Sequence, residues 1–230
     1  MYSKKLSKRL LAAADLVRPS SFIADVGSDH AYLPISLCLD GKIDCALASD
    51  INDGPVAAAV SNINKYGLSS KICAVRADGL DMARSFEPDC ITVLGMGGEL
   101  IVSILDRAEW IKDEGITLVL QPMTHPEVLS RYLAERGFEI IDELMVQDGG
   151  RDDRIYRLIS ARYCGKPYEL GEVESLIGKK NIERLDPITV AYTERLIRVL
   201  DTRIRGKKSA GQPADEDERL VLEMKKILEA

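Results

Sequence analysis

A pattern of strand, turn and helix repeats five times along the first part of this 230-residue chain. The predicted strands are short apolar runs at residues 22–26, 45–48, 72–75, 90–94 and 116–120. Because these runs are apolar throughout, they are typical of strands that are buried on both faces. The repeat therefore predicts a doubly wound α/β fold with a parallel sheet. Two further strand-like segments, 138–146 and 154–161, flank a polar loop and predict an antiparallel pair.

The last part of the chain has a different pattern, in which no strand-like run remains. An Asp-Pro pair at 186–187 predicts a helix start, because Asp caps helices and Pro fits the first helical position. A second helix is predicted to begin at Asp215. Two helices joined by a loop predict an antiparallel hairpin. The chain therefore divides into a sheet domain, residues 1–164, and a helical domain, residues 165–230.

The composition excludes a disordered chain, a collagen-like chain and a disulfide-rich miniprotein. Hydrophobic residues make up 46% and charged residues 30%, which is an ordinary globular balance. No apolar run approaches the ~18 residues that span a bilayer. The five cysteines form no C-x-x-C pair, and with two histidines and no clustered thiols we expect no zinc site. We therefore expect a cytoplasmic protein, a monomer or a weak dimer, with no membrane partner and no metal.

The net charge of −6 is unevenly distributed. Residues 1–20 hold five basic and one acidic residue, whereas residues 21–164 hold 13 basic and 23 acidic residues. The basic head consists of Lys4, Lys5, Lys8 and Arg9. The tail cluster consists of Arg195, Arg198, Arg203, Arg205, Lys207 and Lys208. Local clusters of this kind can bind a phosphate backbone despite an acidic total. A solvated charged surface is the other interpretation.

The turn after the first predicted strand, Asp25-Val26-Gly27-Ser28-Asp29-His30-Ala31, lies where open α/β sheets bind ligands. A dinucleotide-binding turn needs three glycines in the pattern G-x-G-x-x-G, and only Gly27 fits it. Asp29 stands at the second glycine position, where a carboxylate is unfavourable beside a pyrophosphate. A carboxylate is tolerable beside a positively charged sulfonium, so the turn argues against a dinucleotide cofactor.

Two more acidic residues follow the next two predicted strands. Asp50 ends the second strand, where an acid can accept hydrogen bonds from ribose hydroxyls. Asp78, with Gly79, follows the third strand, where a carboxylate can accept a hydrogen bond from an exocyclic amine. Each acid alone could simply cap a helix. Together with Asp25 they predict one pocket of nucleoside shape.

Three segments together resemble the bacterial tRNA (adenine-22-N1)-methyltransferase family. They are the run from Asp25 to Pro34, Gly95-Met96-Gly97-Gly98, and Leu120-Gln121-Pro122-Met123. The resemblance extends from Leu6 to about Tyr163. The tail shares the family layout with a weaker match, since Ile177-Gly178-Lys179 stands where a Phe-Gly-Pro-like turn is expected. The resemblance implies a Rossmann-like class I methyltransferase sheet, a C-terminal coiled-coil hairpin, S-adenosylmethionine as cofactor and tRNA as partner.

The resemblance and the strand-end positions together nominate site residues. Those expected to bind the cofactor are Asp25, Gly27, Ser28, Asp50, Ile51, Asp78, Gly79, Gly95 and Met96. Those expected to bind the substrate base are Gly97 and Gly98, while the tail cluster is expected to contact tRNA phosphates.

The segment Gly95-Met96-Gly97-Gly98 also bears on the reaction. Enzymes that methylate exocyclic amines share an Asn/Asp-Pro-Pro-aromatic turn at this place, and this chain lacks it. A ring nitrogen is therefore the expected nucleophile, and its methylation gives a cationic base. Asp29 is the expected catalytic carboxylate that stabilises this charge, with His30 as a possible proton acceptor or a structural histidine. A small-molecule methyltransferase and a non-catalytic RNA-binding scaffold remain as alternative functions.

Overall fold

The computed structural model describes residues 6–113, 115–148 and 154–229. Within these ranges the strands are β1 (Ser20–Val26), β2 (Ile43–Asp50), β3 (Ile72–Arg76), β4 (Cys90–Gly97), β5 (Thr117–Thr124), β6 (Phe138–Gln147) and β7 (Ile155–Tyr163). The helices are α1 (Lys8–Leu16), α2 (Tyr32–Leu39), α3 (Asp53–Lys65), α4 (Gly98–Asp106), α5 (Pro126–Glu135), α6 (Glu172–Ile177), α7 (Lys179–Arg184), α8 (Pro187–Ser209) and α9 (Asp215–Glu229). Short 3-10 turns cover Ala83–Phe86 and Glu109–Lys112.

In the described part of the chain, the strands form one sheet in the order β3-β2-β1-β4-β5-β7-β6. Strands β1 to β5 are parallel, and β7 lies antiparallel between β5 and β6. The predicted parallel sheet and the antiparallel pair are both confirmed. From β1 the chain proceeds outward to β2 and β3 and then returns to place β4 on the other side of β1. This reversal opens a crevice beyond the carboxyl ends of β1 and β4, where open α/β sheets bind ligands.

The hydrophobic core lies on both faces of the sheet, as the continuous apolar runs predict. Alternate residues of a strand point to opposite faces. Thus Leu118 and Leu120 of β5 belong to one buried cluster, and Val119 belongs to the other. All three side chains are fully buried. Helices therefore cover the sheet on both sides and hold its carboxyl edge in a fixed position.

Helix α1 is an element that the sequence did not indicate. Ser7 caps its first turn, since the side chain accepts a hydrogen bond of 3.3 Å from the Leu10 backbone N–H. Ala13 and Leu16 are buried against the second core cluster. Strands β4 and β5 also extend beyond their predicted ends, because their last residues continue to pair with each other. Both differences bring additional residues to the carboxyl edge of the sheet.

The C-terminal helices pack on the β6–β7 edge of the sheet. Asp186 caps α8 as predicted, accepting a hydrogen bond of 2.7 Å from the Thr189 backbone N–H. A third buried cluster joins Met145 of β6 to Val173 of α6 and Met224 of α9. The hairpin of α8 and α9 thus shares its core with the sheet. The division at residue 164 stays a prediction.

Among the described residues, none of the helices combines the length and apolar character needed to cross a bilayer.

Candidate functional site

A cavity of about 160 Å³ lies at the carboxyl ends of β1 and β4. Most of the residues that line it belong to the end of β1, the turn that follows and the start of α2, and two more belong to α1. The lining residues are Arg9, Leu10, Asp25, Val26, Gly27, Ser28, Asp29, His30, Ala31, Tyr32, Leu33 and Leu94. The structure therefore brings together five of the predicted site residues, the members of the turn from Asp25 to His30 other than Val26.

Asp25 is the buried acid of this cavity, with 6% of its surface exposed. The Thr92 hydroxyl of β4 donates to its Oδ1 over 2.5 Å. Burial raises the pKa of the Asp25 carboxyl, and hydrogen bonds from Ser28 and Thr92 partly offset that effect. A buried carboxylate must be hydrogen-bonded to stay ionised. These bonds hold the Asp25 carboxyl in place as a hydrogen-bond acceptor in the lining of the cavity.

Gly27 permits the sharp turn that follows β1. Its φ of +74° lies in the left-handed region, which glycine adopts without a steric cost. A Cβ at this position would overlap Cε of Met96. The N–H groups of Gly27 and Ser28 both donate to the Ser49 carbonyl, over 2.8 and 2.9 Å. The turn is therefore locked to the end of β2 and lies in direct contact with β4.

Asp29 and His30 lie at the open side of the cavity. The Asp29 side chain is 69% exposed and the His30 side chain is 43% exposed. Nε2 of His30 lies 3.4 Å from Oδ2 of Asp29, and the imidazole stacks on the Tyr32 ring at 5.0 Å. Both predicted catalytic side chains are thus adjacent and accessible to a large substrate, and their roles stay predictions.

The other predicted cofactor residues, namely Asp50, Ile51, Asp78, Gly79, Gly95 and Met96, are not among those that line this cavity. Oδ1 of Asp50 accepts hydrogen bonds from the backbone and side-chain nitrogens of Asn52, over 2.8 and 3.2 Å. Ile51 is 54% exposed beside it. Asp78, next to Gly79, forms a bidentate ion pair with Arg107 at 3.1 Å, which holds the pKa of its carboxyl below the ordinary value.

The glycine-rich end of β4 packs tightly against β5. Gly95 has a φ of +80°, and Met96 pairs with Pro122. A Cβ on Gly97 would lie 3.2 Å from the Thr124 hydroxyl, and one on Gly98 would overlap the carbonyl oxygen of His125. The space on the side where a Cβ of Gly97 or Gly98 would lie is therefore taken up by the end of β5 and the start of α5, and a base would meet these two residues from the other side.

Gln121 and Arg9 organise this edge, and sequence reasoning assigned neither a role in it. Gln121 is fully buried, and its Oε1 accepts from the Gly95 N–H over 3.1 Å and from Arg9 Nη1 over 2.8 Å. Its Nε2 donates to the Pro122 carbonyl over 2.9 Å. The Gln121 side chain thus connects the end of β4, the end of β5 and the guanidinium of Arg9 on α1. The sequence signal for Gln121 is the segment Leu120-Gln121-Pro122-Met123, which enters the sequence-based prediction only as part of the family resemblance.

A family model described as a methyltransferase domain matches residues 6–159, more than half of the chain. The chain belongs to this methyltransferase family. A tRNA (adenine(22)-N(1))-methyltransferase of Bacillus subtilis is 38% identical over 151 residues, which is 66% of this chain and 63% of that relative. The chain thus matches less than two thirds of that relative's length.

Two solved structures resemble this methyltransferase over nearly the whole chain. The B. subtilis m1A22 tRNA methyltransferase TrmK has a TM-score of 0.81 and 28% identity, and the match covers 98% of this chain and 96% of that one. A putative tRNA (m1A22) methyltransferase of Streptococcus pneumoniae, in complex with S-adenosyl-L-methionine, has a TM-score of 0.84 and 28% identity, covering 95% and 99%.

The tail cluster of this methyltransferase is largely ion-paired within the hairpin. Arg203 and Lys207 both contact the carboxylate of Asp217, a residue of α9 that is 1% exposed. Their hydrogen bonds hold the pKa of Asp217 below its ordinary value. Lys208 pairs with Glu218 of the same helix. These cations therefore join α8 to α9 in addition to any contact with a ligand.

The other members of the tail cluster have different surroundings. Arg198 lies 3.8 Å from Glu194 on the same helix, and Arg205 donates to the Thr202 hydroxyl over 3.4 Å. Arg195 lines a second cavity, beside the end of β5. Of the basic head, Lys8 and Arg9 lie in α1, and Lys4 and Lys5 lie outside the described residues.

Proposed function

We propose that this methyltransferase transfers the methyl group of S-adenosylmethionine to ring nitrogen N1 of an adenine in tRNA, at position 22. The observation that carries the proposal is the cavity at the carboxyl ends of β1 and β4, which the Asp25–His30 turn and Leu94 line and where Gly27 packs against Met96. Relatives with the same layout support it, since their names specify this tRNA position and one of them holds S-adenosyl-L-methionine. We also propose that the enzyme acts in the cytoplasm as a monomer or a weak dimer.

The residues of the cavity suit the sulfonium end of the proposed cofactor, because its volume of about 160 Å³ is below the ~300–1,000 Å³ range of pockets for whole small ligands. The cofactor supplies a methyl group bonded to a positively charged sulfur, and Asp25 and Asp29 are the two carboxylates that line the cavity. Asp25 is held as a buried acceptor by Thr92, and the Gly27 turn lets the backbone approach a ligand closely. We assign cofactor contacts to the other predicted residues as well, namely Ser28, Asp50, Ile51, Asp78, Gly79, Gly95 and Met96.

In this reaction the protein has to position the adenine N1 against the methyl carbon and to stabilise the positive charge that develops on the base. The N1 lone pair of adenine lies in the base plane and is available once base pairing is broken, at a cost of about a few kcal/mol. Gly97 and Gly98 are the proposed contacts of the base, and holding N1 in line with the methyl carbon accounts for much of the acceleration. The methylated base is cationic, and the carboxylate of Asp29 would stabilise that charge as it develops.

Mass mapping of treated tRNA tests the proposal. The protein is incubated with S-adenosylmethionine and an unmodified tRNA transcript, and the nucleosides are located by digestion and mass spectrometry. We expect 1-methyladenosine at position 22, and no product in a transcript that carries guanine there. Methylation of small amines in place of tRNA would favour a small-molecule methyltransferase. A protein that binds tRNA but gives no calorimetric signal with S-adenosylmethionine would be a scaffold.

The Asp50→Ala substitution tests the proposed ribose contact. We expect cofactor binding to weaken by about 1.5–3 kcal/mol, the scale of hydrogen bonds that involve a charged group. Isothermal titration with S-adenosylmethionine measures the change. Asp53→Ala is the matched control, because Asp53 is an exposed acid at the start of α3 and pairs with Arg76 at 3.3 Å. Equal affinities for the two variants would contradict the assignment of Asp50.

A further inference from the structure

A second cavity of about 320 Å³ lies between the end of β5 and helix α8. Its volume falls at the lower end of the ~300–1,000 Å³ range of small-ligand pockets. Its lining includes Pro122 and Met123 of β5, Tyr156 of β7, and Arg195 and Val199 of α8. We call this cavity the α8 groove. None of the residues predicted to bind the cofactor or the base lies in this groove. Arg195, which is predicted to contact a tRNA phosphate, does line it.

The α8 groove adjoins the cavity of about 160 Å³ at the carboxyl ends of β1 and β4, which we call the cofactor cavity. Pro122 pairs with Met96 across β4 and β5, so one wall of the groove is the direct neighbour of the glycine-rich segment. Arg9 lines the cofactor cavity, and its guanidinium lies 5.8 Å from the centre of the Tyr156 ring. The pair of Arg9 and Tyr156 thus forms the partition between the two cavities. A polymer that places one residue in the first cavity has its next residues close to the second.

The lining of the groove combines apolar surface, aromatic rings and three arginines, Arg154, Arg157 and Arg195, of which Arg157 is buried and paired with Glu143. Met123 is 40% exposed and Val199 is 59% exposed, although both are apolar. Tyr156 contributes a half-buried ring, and Arg195 is an exposed cation at the same site. Proteins bind unpaired nucleotides by stacking the base on an aromatic side chain and pairing the phosphate with a cation. The chemistry of the groove matches a nucleotide on both counts.

We propose that the α8 groove binds one unpaired nucleotide of the tRNA next to the methylated adenine. Its base lies over Tyr156 and between Met123 and Val199, and its phosphate contacts Arg195. The inference rests on the proposed function and adds a substrate contact outside the cofactor cavity. It also gives Arg195 a role that differs from that of Arg203 and Lys207, whose charges are paired with Asp217.

Filling the groove with a larger side chain tests this proposal. Val199→Trp adds bulk at an exposed position that does not touch the cofactor cavity, and Leu222→Trp is the matched control on α9, where Leu222 is 56% exposed. We expect Val199→Trp to raise the KM for unmodified tRNA by about 5- to 150-fold, the range for loss of one base–aromatic stack. Cofactor affinity should stay unchanged, and Leu222→Trp should behave like the wild type.

A charge reversal provides a second, independent measurement. Arg195→Glu and Arg198→Glu make the same change to the net charge on the same helix, but only Arg195 lines the groove. Long-range electrostatics alone predicts equal losses of tRNA affinity at a given salt concentration. We expect the loss for Arg195→Glu to be about ten-fold larger, as for a direct charged hydrogen bond.

The outcomes separate this proposal from the proposed function. If the wild type does not methylate tRNA, the proposed function fails, and the groove proposal fails with it. If the wild type methylates tRNA while Val199→Trp matches Leu222→Trp and Arg195→Glu matches Arg198→Glu, the groove proposal alone is overturned. Dimer formation that Val199→Trp abolishes, with tRNA kinetics unchanged, would assign the groove to a second copy of the chain and would also overturn it.

Discussion

Replacing Arg157 with Met is expected to lower the free energy of unfolding by about 3–5 kcal/mol, the usual cost of removing one partner of a buried ion pair. Arg157 lies on β7 and Glu143 on β6, and the two side chains are 2% and 0% exposed. Nε of Arg157 donates to Oε1 of Glu143 over 3.0 Å. Without the guanidinium, the Glu143 carboxylate would stay buried without its cation.

The same guanidinium also joins the sheet to the C-terminal helices. Its Nη1 donates to the Ser175 carbonyl over 2.7 Å, and its Nη2 donates to the Ser130 hydroxyl over 2.9 Å. The Lys180 backbone N–H of α7 donates to Oε2 of Glu143 over 3.0 Å. Loss of Arg157 therefore removes hydrogen bonds from three neighbouring elements at once. A chain cut near residue 166 would lose two of these partners, Ser175 and Lys180, so it would be expected to weaken the sheet domain as well.

Arg162→Met is the matched control for this prediction. Arg162 lies on the same strand and pairs with Glu139 at 3.2 Å, but the two side chains are 44% and 55% exposed. Pairs of this kind contribute about 0–1 kcal/mol. Urea unfolding of both variants measures the difference, and the double variant Glu143→Leu/Arg157→Met should recover part of the loss. If Arg157→Met unfolds within 1 kcal/mol of Arg162→Met, the buried pair has no special role in stability.

The central strands could be predicted from the sequence because burial on both faces requires continuous apolar runs. Residues 90–94 and 116–120 show this pattern, and they form β4 and β5. The extension of both strands could not be read in the same way. Gly95 to Gly97 carry no strand propensity, and their conformation follows from pairing with the end of β5. The sequence therefore predicts a strand that ends at residue 94, whereas Gly95, Met96 and Gly97 belong to β4.

The contacts of the charged residues were the least predictable part of the molecule. Arg9 belongs to a basic head, yet its guanidinium is held by Gln121, 112 positions away in the chain. Asp217 belongs to an acidic run that favours an exposed helix start, yet it is buried beneath Arg203 and Lys207. Charge patterns along a sequence report local composition. Which charges meet depends on the packing of elements that are distant in the chain, and a local charge pattern does not show that packing.

Replacing Asp29 with Ala is expected to reduce the turnover of tRNA methylation by about 10²–10³-fold, the effect of removing one group aimed at charge that develops in a transition state. The Asp29 carboxylate lies at the open side of the cofactor cavity, 3.4 Å from His30, and is 69% exposed in the free protein. Water screens an exposed charge strongly. The expected effect therefore requires the tRNA to cover Asp29 when the target base enters the cavity.

Single-turnover kinetics with saturating cofactor and tRNA measures this effect on the chemical step. Cofactor and tRNA affinities should change little, because the carboxylate acts on charge that appears only as N1 gains the methyl group. Asp29→Asn keeps the shape of the side chain and removes its charge, so it should be nearly as slow as Asp29→Ala. Asp53→Ala removes an exposed carboxylate elsewhere on the same sheet edge and should leave the rate unchanged. If Asp29→Ala keeps its rate within a few-fold, the carboxylate has no part in the chemical step, and the acceleration comes from positioning the base alone.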